Sequence, residues 1–145
     1  MTYKIPTLKL SLVKESEIKT QTLSFKNSAS VAEFMKKHLE DAHCEYFITL
    51  YLDNQHKFIG SYQISGTLNQ TAVYPREIFS RALLSNAAAF ILVHSHPSGI
   101  LIPSAEDIRM TETLKKIGDM LQIKIIDHVI VSHEGYKSFQ EMGLI

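Results

Sequence analysis

The stretch that decides the fold runs Ala88-Ala-Phe-Ile-Leu-Val-His94-Ser-His96-Pro97-Ser-Gly99-Ile-Leu-Ile-Pro103-Ser104-Ala-Glu-Asp107. Its first half, Ala88 to His94, is a short unbroken apolar run and reads as a buried strand. Residues two apart on a strand face the same side, so His94 and His96 present both imidazoles to one point. Pro97 and Gly99 end the strand and turn the chain. Ser104 then opens a helix, which places Asp107 at its third position. A carboxylate there lies beside free amides and the positive end of the helix dipole, which favours its ionised form. Two imidazoles and one carboxylate suit zinc, and three protein ligands leave a fourth tetrahedral position open. An open position marks a catalytic centre rather than a structural one, because the ion then brings the pKa of a bound water to about 7.

Working outward, the flanking segments read as an α/β sheet domain. Ser30-Val-Ala-Glu33 has the form of a capping box, and Val31, Phe34, Met35 and Leu39 follow at helical spacing, which predicts a helix over 30–42. Tyr46 to Leu52 and Lys57 to Ile64 read as a hairpin turning at Asp53-Asn54. Pro75 opens a second helix with Ile78, Phe79, Ala82 and Leu83 on its apolar face. The helix after Ser104 carries Ile108, Thr111, Leu114 and Leu121 on one side. Ile123 to Val131 and Tyr136 to Phe139 close the chain as strands. Leu8 to Leu12 and Ile18 to Phe25 read as two short strands, so 1–27 is taken as a short β-rich N-terminal extension and 28–145 as the domain. Residues 66–74 read either as a substrate-facing loop or as a plain connection.

Composition bounds the function. The chain has 145 residues, 45% of them hydrophobic and 21% charged, which is the balance of one globular domain. Its 15 basic and 15 acidic side chains cancel, so the basic excess common in nucleic-acid binders is missing and DNA binding is expected to be weak at most. The single cysteine, Cys44, offers neither a disulfide framework nor a thiolate cage and suits a reducing, cytoplasmic setting. Neither a signal peptide nor an apolar run long enough for a membrane span is read. The His-x-Glu and Pro-Cys-x-x-Cys elements of zinc nucleobase deaminases are missing. His133-Glu134 does not begin a His-Glu-x-x-His helix, because the chain has Lys137 there. His38, His43, His56 and His133 have no metal-like spacing and are expected at the surface.

His-x-His-Pro, six residues, then Ser-x-x-Asp matches the signature of the JAMM (MPN-type metalloprotease) superfamily at each fixed position. Gly66-Thr-Leu-Asn69, Pro75-Arg-Glu77, Ala87-Ala88, Pro103-Ser104, Asp127-His128 and the ending Tyr136-Lys-Ser-Phe-Gln-Glu-Met-Gly-Leu-Ile145 add a closer resemblance. Over about 30–145 the chain resembles the JAB domain of RadC-like proteins, without the glycine-centred hairpins of the helix-hairpin-helix region that longer members carry. The resemblance implies a curved mixed sheet flanked by helices, of the JAMM and cytidine-deaminase-like type. It implies zinc at a strand-to-helix turn and hydrolysis of a peptide or isopeptide bond. The other function it leaves open is that of a DNA-repair or mobile-element-associated protein whose metal serves a non-protease role. JAMM enzymes use a glutamate upstream of the histidines as general base. The resemblance puts it at Glu45, after the first helix, with Glu77 as the alternative. The serine matching Ser104 helps to stabilise the tetrahedral intermediate in that family. Asp127-His128 is read as a satisfied structural pair.

Overall fold

The computed structural model describes residues 6–9, 11–17, 24–39, 44–65 and 73–145. Its elements are helix α1 (Ser28–His38), strands β1 (Tyr46–Leu52) and β2 (Phe58–Ser65), helix α2 (Pro75–Leu84), strand β3 (Ala89–Ser95), helix α3 (Ala105–Leu121), and strands β4 (Lys124–Ser132) and β5 (Gly135–Ser138). The strands form one mixed five-stranded sheet in the order β2-β1-β3-β4-β5. Among the described strands, β3 with β4 is the only neighbouring pair that is parallel, and α3 is the crossover that a parallel pair requires.

β3 is central and buried along its whole length, which is why its sequence is an apolar run rather than an alternation. Period two sends Ala89, Ile91 and Val93 to one face, where Val31, Ala32, Phe34 and Met35 of α1 pack with Leu50, Val129 and Val131. Phe90 and Leu92 point to the other face, against Ile78, Phe79 and Ala82 of α2 and Leu114 of α3. His94 continues the Phe90–Leu92 row, so the first imidazole enters from the α2/α3 side at the end of an otherwise apolar stripe.

The hairpin between β1 and β2 forms as the sequence predicts. Asp53 accepts hydrogen bonds from the amides of Gln55 (2.8 Å) and Lys57 (2.9 Å), which fixes the turn. α2, β3, α3, β4 and β5 fall within a residue or two of their expected ends.

Three expectations are corrected. α1 starts earlier than Ser30: Asn27 is the N-cap and Ser30 its N3 partner. The Asn27 carboxamide accepts from the Ser30 amide at 2.9 Å while the Asn27 amide donates to Ser30 Oγ at 3.2 Å. Ser28 is pulled inward to donate to Asp127, so the helix is already under way at Ser30. Of the expected helix end, Leu39 is the C-cap and residues 40–42 lie outside the described residues. The strand expected over 8–12 is not found among its described residues, which have no regular structure, with Leu8 84% and Leu12 52% exposed. Alternation makes a strand only where another strand supplies the hydrogen bonds. Residues 18–23 lie outside the described residues, and after them Ser24 makes an isolated bridge to Lys57 while Phe25 packs on Phe34 and Phe58. Finally, Leu83 and Leu121, expected on buried faces, are 54% and 40% exposed. Residues 66–72 of the loop before α2 are also outside the described residues.

Candidate metal centre

The centre is assembled where β3 ends and α3 begins. Pro97, Ser98 and Gly99 turn the chain, with the Gly99 amide donating to the His96 carbonyl at 3.1 Å. Gly99 has φ +85°, a left-handed conformation that favours glycine at this turn. The chain then returns through Pro103 to Ser104, the N-cap of α3, with Asp107 at N3. Ser104 Oγ accepts from the Asp107 amide at 3.0 Å and donates to Asp107 Oδ2 at 2.6 Å, and the Ser104 amide donates to the same oxygen at 2.8 Å. One carboxylate oxygen is thereby occupied by the helix cap. The other, Oδ1, faces His94 Nδ1 at 2.9 Å.

The side chains of His94, His96 and Asp107 come together at this point. His96 Nδ1 sits 2.6 Å from the carbonyl of Ile100, which can only accept, so Nδ1 carries the proton and Nε2 is left with its lone pair. That Nε2 lies 3.2 Å from His94 Nδ1 and 4.0 Å from Asp107 Oδ2. Separations of this order suit ligand atoms that each stand about 2.0–2.2 Å from a shared ion. Burial works against the charged form of Asp107. Hydrogen bonds from His94 and Ser104 outweigh it and hold the carboxyl well below the usual carboxylate range.

One residue read as purely structural belongs to this group. His94, Asp107 and His128 each offer a ligand atom, all within 4.8 Å of one another, and together they could hold a metal ion. His128 is fully buried on β4 opposite Leu92, on the same face as His94. Burial first, then the nearby His94 and His96 imidazoles, push its pKa down to about 3. Among the described residues, neither His94 Nε2 nor His128 Nε2 has a hydrogen-bond partner. His94 Nδ1 and His96 Nε2 beside the Asp107 carboxylate are a donor set that fits a divalent cation. Asp127, its sequence neighbour, points to the other face and is the satisfied structural residue the sequence predicts. It accepts from Ser28 Oγ, Ser138 Oγ and the amides of His128 and Gln140.

The two candidate bases sit differently. Glu45 immediately precedes β1 and is half-buried. β1 is antiparallel to β3 with Phe47 opposite His94, and the Tyr46 amide donates to Ser95 Oγ at 2.8 Å. Extended by two residues, that register would bring Glu45 opposite His96. Glu77, on α2, is held at 2.8 Å by Arg81, whose guanidinium stacks over Tyr62. His38, His56 and His133 are exposed as expected, while His43 lies outside the described residues. No helix among the described residues is long and apolar enough to cross a membrane.

Comparison with known proteins agrees with this architecture. The family model described as "RadC-like JAB domain" matches residues 25–144. A UPF0758 protein of Histophilus somni (strain 2336) is 43% identical over 122 residues, 83% of this chain and 55% of the relative. One from Geotalea uraniireducens is 43% identical over 122 residues, covering 83% and 54%. The protein named UPF0758 protein PM1152 of Pasteurella multocida is 42% identical over 125 residues, covering 86% and 56%. The chain thus spans about half the length of the curated relatives it matches. With its five-stranded mixed sheet flanked by helices and a family match over residues 25–144, the chain belongs to the RadC-like JAB-domain family.

Proposed function

We propose that this domain is a zinc-dependent hydrolase of peptide or isopeptide bonds, with His94, His96 and Asp107 as metal ligands. The observation that carries the proposal is the meeting of His94 Nδ1, His96 Nε2 and the Asp107 carboxylate within 2.9–4.0 Å, at the end of a rigid central strand and a capped helix. A zinc ion held there would act as a Lewis acid on the scissile carbonyl and as an acidifier of water. His96 is kept in the ligating tautomer by its bond to the Ile100 carbonyl. Asp107 is kept ionised by the hydroxyl and amide of Ser104, which lets it serve as a ligand throughout the neutral range.

Glu45 is the general base of this reading. It takes a proton from the attacking water and returns it to the leaving nitrogen, so one carboxylate serves both halves of the reaction. The β1/β3 register, which would bring Glu45 opposite His96 if extended, supports Glu45 over Glu77, whose carboxylate is engaged with Arg81. Ser104, assigned to the tetrahedral intermediate on family grounds, directs its proton to Asp107 Oδ2. A catalytic contact with substrate would require it to give up that bond. Nucleic acid is not the substrate in this reading. With charges balanced at 15 of each sign, DNA binding should stay at the non-specific order of ~10⁻⁴–10⁻⁶ M at physiological salt.

The test is a panel of fluorogenic peptide and isopeptide-linked substrates presented to the purified protein. Cleavage should stop on chelation and return on adding one equivalent of zinc. Wild-type protein that takes up no zinc, or His94→Ala protein that retains it in full, would overturn the assignment.

A further inference from the structure

We infer that Ile100 and Ile102 form an apolar seat at the rim of the centre, which takes an aliphatic side chain of the substrate beside the scissile amide. The inference rests on reading the site as a zinc peptidase or isopeptidase. The segment between His96 and Ser104 reads Pro97-Ser-Gly-Ile-Leu-Ile-Pro103 and carries no charged side chain. Ile100 is 58% exposed and Ile102 76%, whereas Leu101 between them is half-buried. Leu101 faces the turn between β4 and β5, where a Cβ on Gly135 would lie 3.6 Å from its Cδ1. An inward leucine with outward isoleucines on either side repeats the alternation of an extended chain, so the two isoleucines share the solvent side.

The seat is tied to the proposed ligands through its own main chain. The Ile100 carbonyl accepts from His96 Nδ1 at 2.6 Å. Ile102 lies two residues before Ser104, whose amide donates to Asp107 Oδ2 at 2.8 Å. Behind them the His96 amide donates to the Val131 carbonyl at 2.8 Å, which fastens the segment to β4. The backbone and Leu101 meet the structural needs of this connection, and the two exposed side chains add nothing to them. Isolated exposed apolar residues are ordinary, but a pair on one side of a reactive centre marks a contact. Two side chains fall far short of the roughly 1,000 Å² that a lasting protein interface buries, so a second copy of the chain does not suit them. One aliphatic side chain of a bound peptide does. β-Branched isoleucines have few rotamers to lose on contact, and an uncharged segment selects by apolar burial rather than by charge.

The experiment compares the zinc-loaded protein with its Ile100→Ser/Ile102→Ser double variant on one peptide library, varied on both sides of the scissile bond. Both substitutions fall at exposed positions and leave the Ile100 carbonyl in place, so zinc affinity and Tm should not change. The unaltered protein should favour aliphatic over polar members by at least about 10-fold in kcat/KM, the lower end of what one methylene contributes in an apolar site. The variant should lose most of that preference, through KM rather than kcat. A preference that survives in the variant overturns the seat and leaves the hydrolase standing, as does equal cleavage of polar members by the unaltered protein. A library in which no member is cut overturns the hydrolase and the seat with it. A second measurement needs no turnover. Zinc-loaded protein labelled with ¹³C in its isoleucine methyls is titrated with N-acetyl-leucine methylamide and, separately, N-acetyl-glutamine methylamide. The Ile100 and Ile102 methyl signals should move with the leucine compound only, and equal movement or none counts against the seat. Sedimentation settles the remaining occupant: a dimer that the double variant turns into a monomer gives the face to a second copy and overturns the proposal.

Discussion

Asp107 and Asp127 are both buried carboxylates, and each is tied into the same parallel β3/β4 neighbourhood, yet they are built for opposite ends. Asp127 lies on the α1 face, where both its oxygens accept from neutral donors: two hydroxyls, Ser28 and Ser138, and two amides, His128 and Gln140. Those four bonds join the start of α1, β4, β5 and the chain after β5. Asp107 lies on the α2/α3 side, and only its Oδ2 is saturated, by Ser104. Its Oδ1 looks at an imidazole. A buried carboxylate surrounded by fixed neutral donors is a fastening. One that keeps an oxygen turned toward histidines has capacity left for a cation. The number of lone pairs already taken separates the two roles, where burial alone does not.

The strongest way to break this comparison is to remove each carboxylate in turn. Asp107→Ala should abolish zinc binding while costing only about 1–2 kcal/mol of stability, the scale of a lost helix cap. Asp127→Ala should do the reverse. Four donors lose their acceptor, each unsatisfied group costs about 1–3 kcal/mol, and the total should reach at least ~3 kcal/mol. The folded fraction of Asp127→Ala should still bind one zinc. Urea denaturation with elemental analysis of the folded protein reads both quantities. Zinc loss from a fully folded Asp127→Ala protein would collapse the distinction.

Next in size is the choice of base. Glu45→Gln keeps shape but cannot take a proton, so turnover should fall by about 10²–10⁴-fold with zinc content unchanged. Glu77→Gln should leave turnover nearly intact and remove only a half-exposed ion pair with Arg81, worth about 0–1 kcal/mol. Steady-state rates of the two variants on one substrate decide it, and a larger loss in Glu77→Gln would transfer the role to α2.

How much of this was legible without coordinates depends on distance along the chain. The His94/His96 pair and the Ser104/Asp107 cap are local patterns, governed by strand and helix periodicity, and both took the form their spacing predicts. The α1 cap was local too but contested. Ser30-x-x-Glu33 and Asn27-x-x-Ser30 are overlapping signals, and the outcome was set by Ser28 bonding to Asp127, a partner far along the chain. His128 was out of reach for the same reason. Its meaning depends on the parallel register that pairs it with Leu92 and on Thr111 arriving from α3. No pattern within β4 shows either. The alternation at Leu8 to Leu12 shows the converse, a local pattern that makes no strand among the described residues.

The pH dependence of metal-free protein sharpens the contrast from the histidine side. An unfolded imidazole titrates near ~6.5, whereas burial lowers His128 to about 3 in the folded chain. Between those values the unfolded chain binds a proton that the folded chain refuses. Stability should therefore be flat above about pH 6.5 on account of His128 and fall below it, by up to about 1.4 kcal/mol per pH unit. Asp107 acts in a lower window. Its depressed folded pKa adds stability that is present above the ordinary carboxylate value of about 4 and is lost as pH falls further. Urea midpoints of chelator-treated protein between pH 7 and 4 would show the first effect. His128→Gln should flatten that slope, and an unaltered slope would mean that the buried imidazole does not resist protonation.

The smallest expected effect concerns Ser104, where the two roles of a capping residue can be separated. Its hydroxyl gives Asp107 Oδ2 one of two bonds and accepts the Asp107 amide. In Ser104→Ala the Ser104 amide bond to Oδ2 at 2.8 Å can persist, so the carboxylate should loosen without swinging away. Loss of the cap should cost about 1 kcal/mol. Zinc affinity should drop by roughly 10-fold, the lower end of what outer-shell substitutions do. If Ser104 acts only by holding Asp107, turnover of the zinc-saturated variant should return close to the wild-type value. A hydroxyl that touches the substrate's developing oxyanion would behave otherwise. Its removal should lower kcat by about 10²–10³-fold even at saturating zinc. Measuring kcat against zinc concentration therefore distinguishes a residue that positions a ligand from one that takes part in the reaction. A persistent deficit at full occupancy would move Ser104 from the first role to the second.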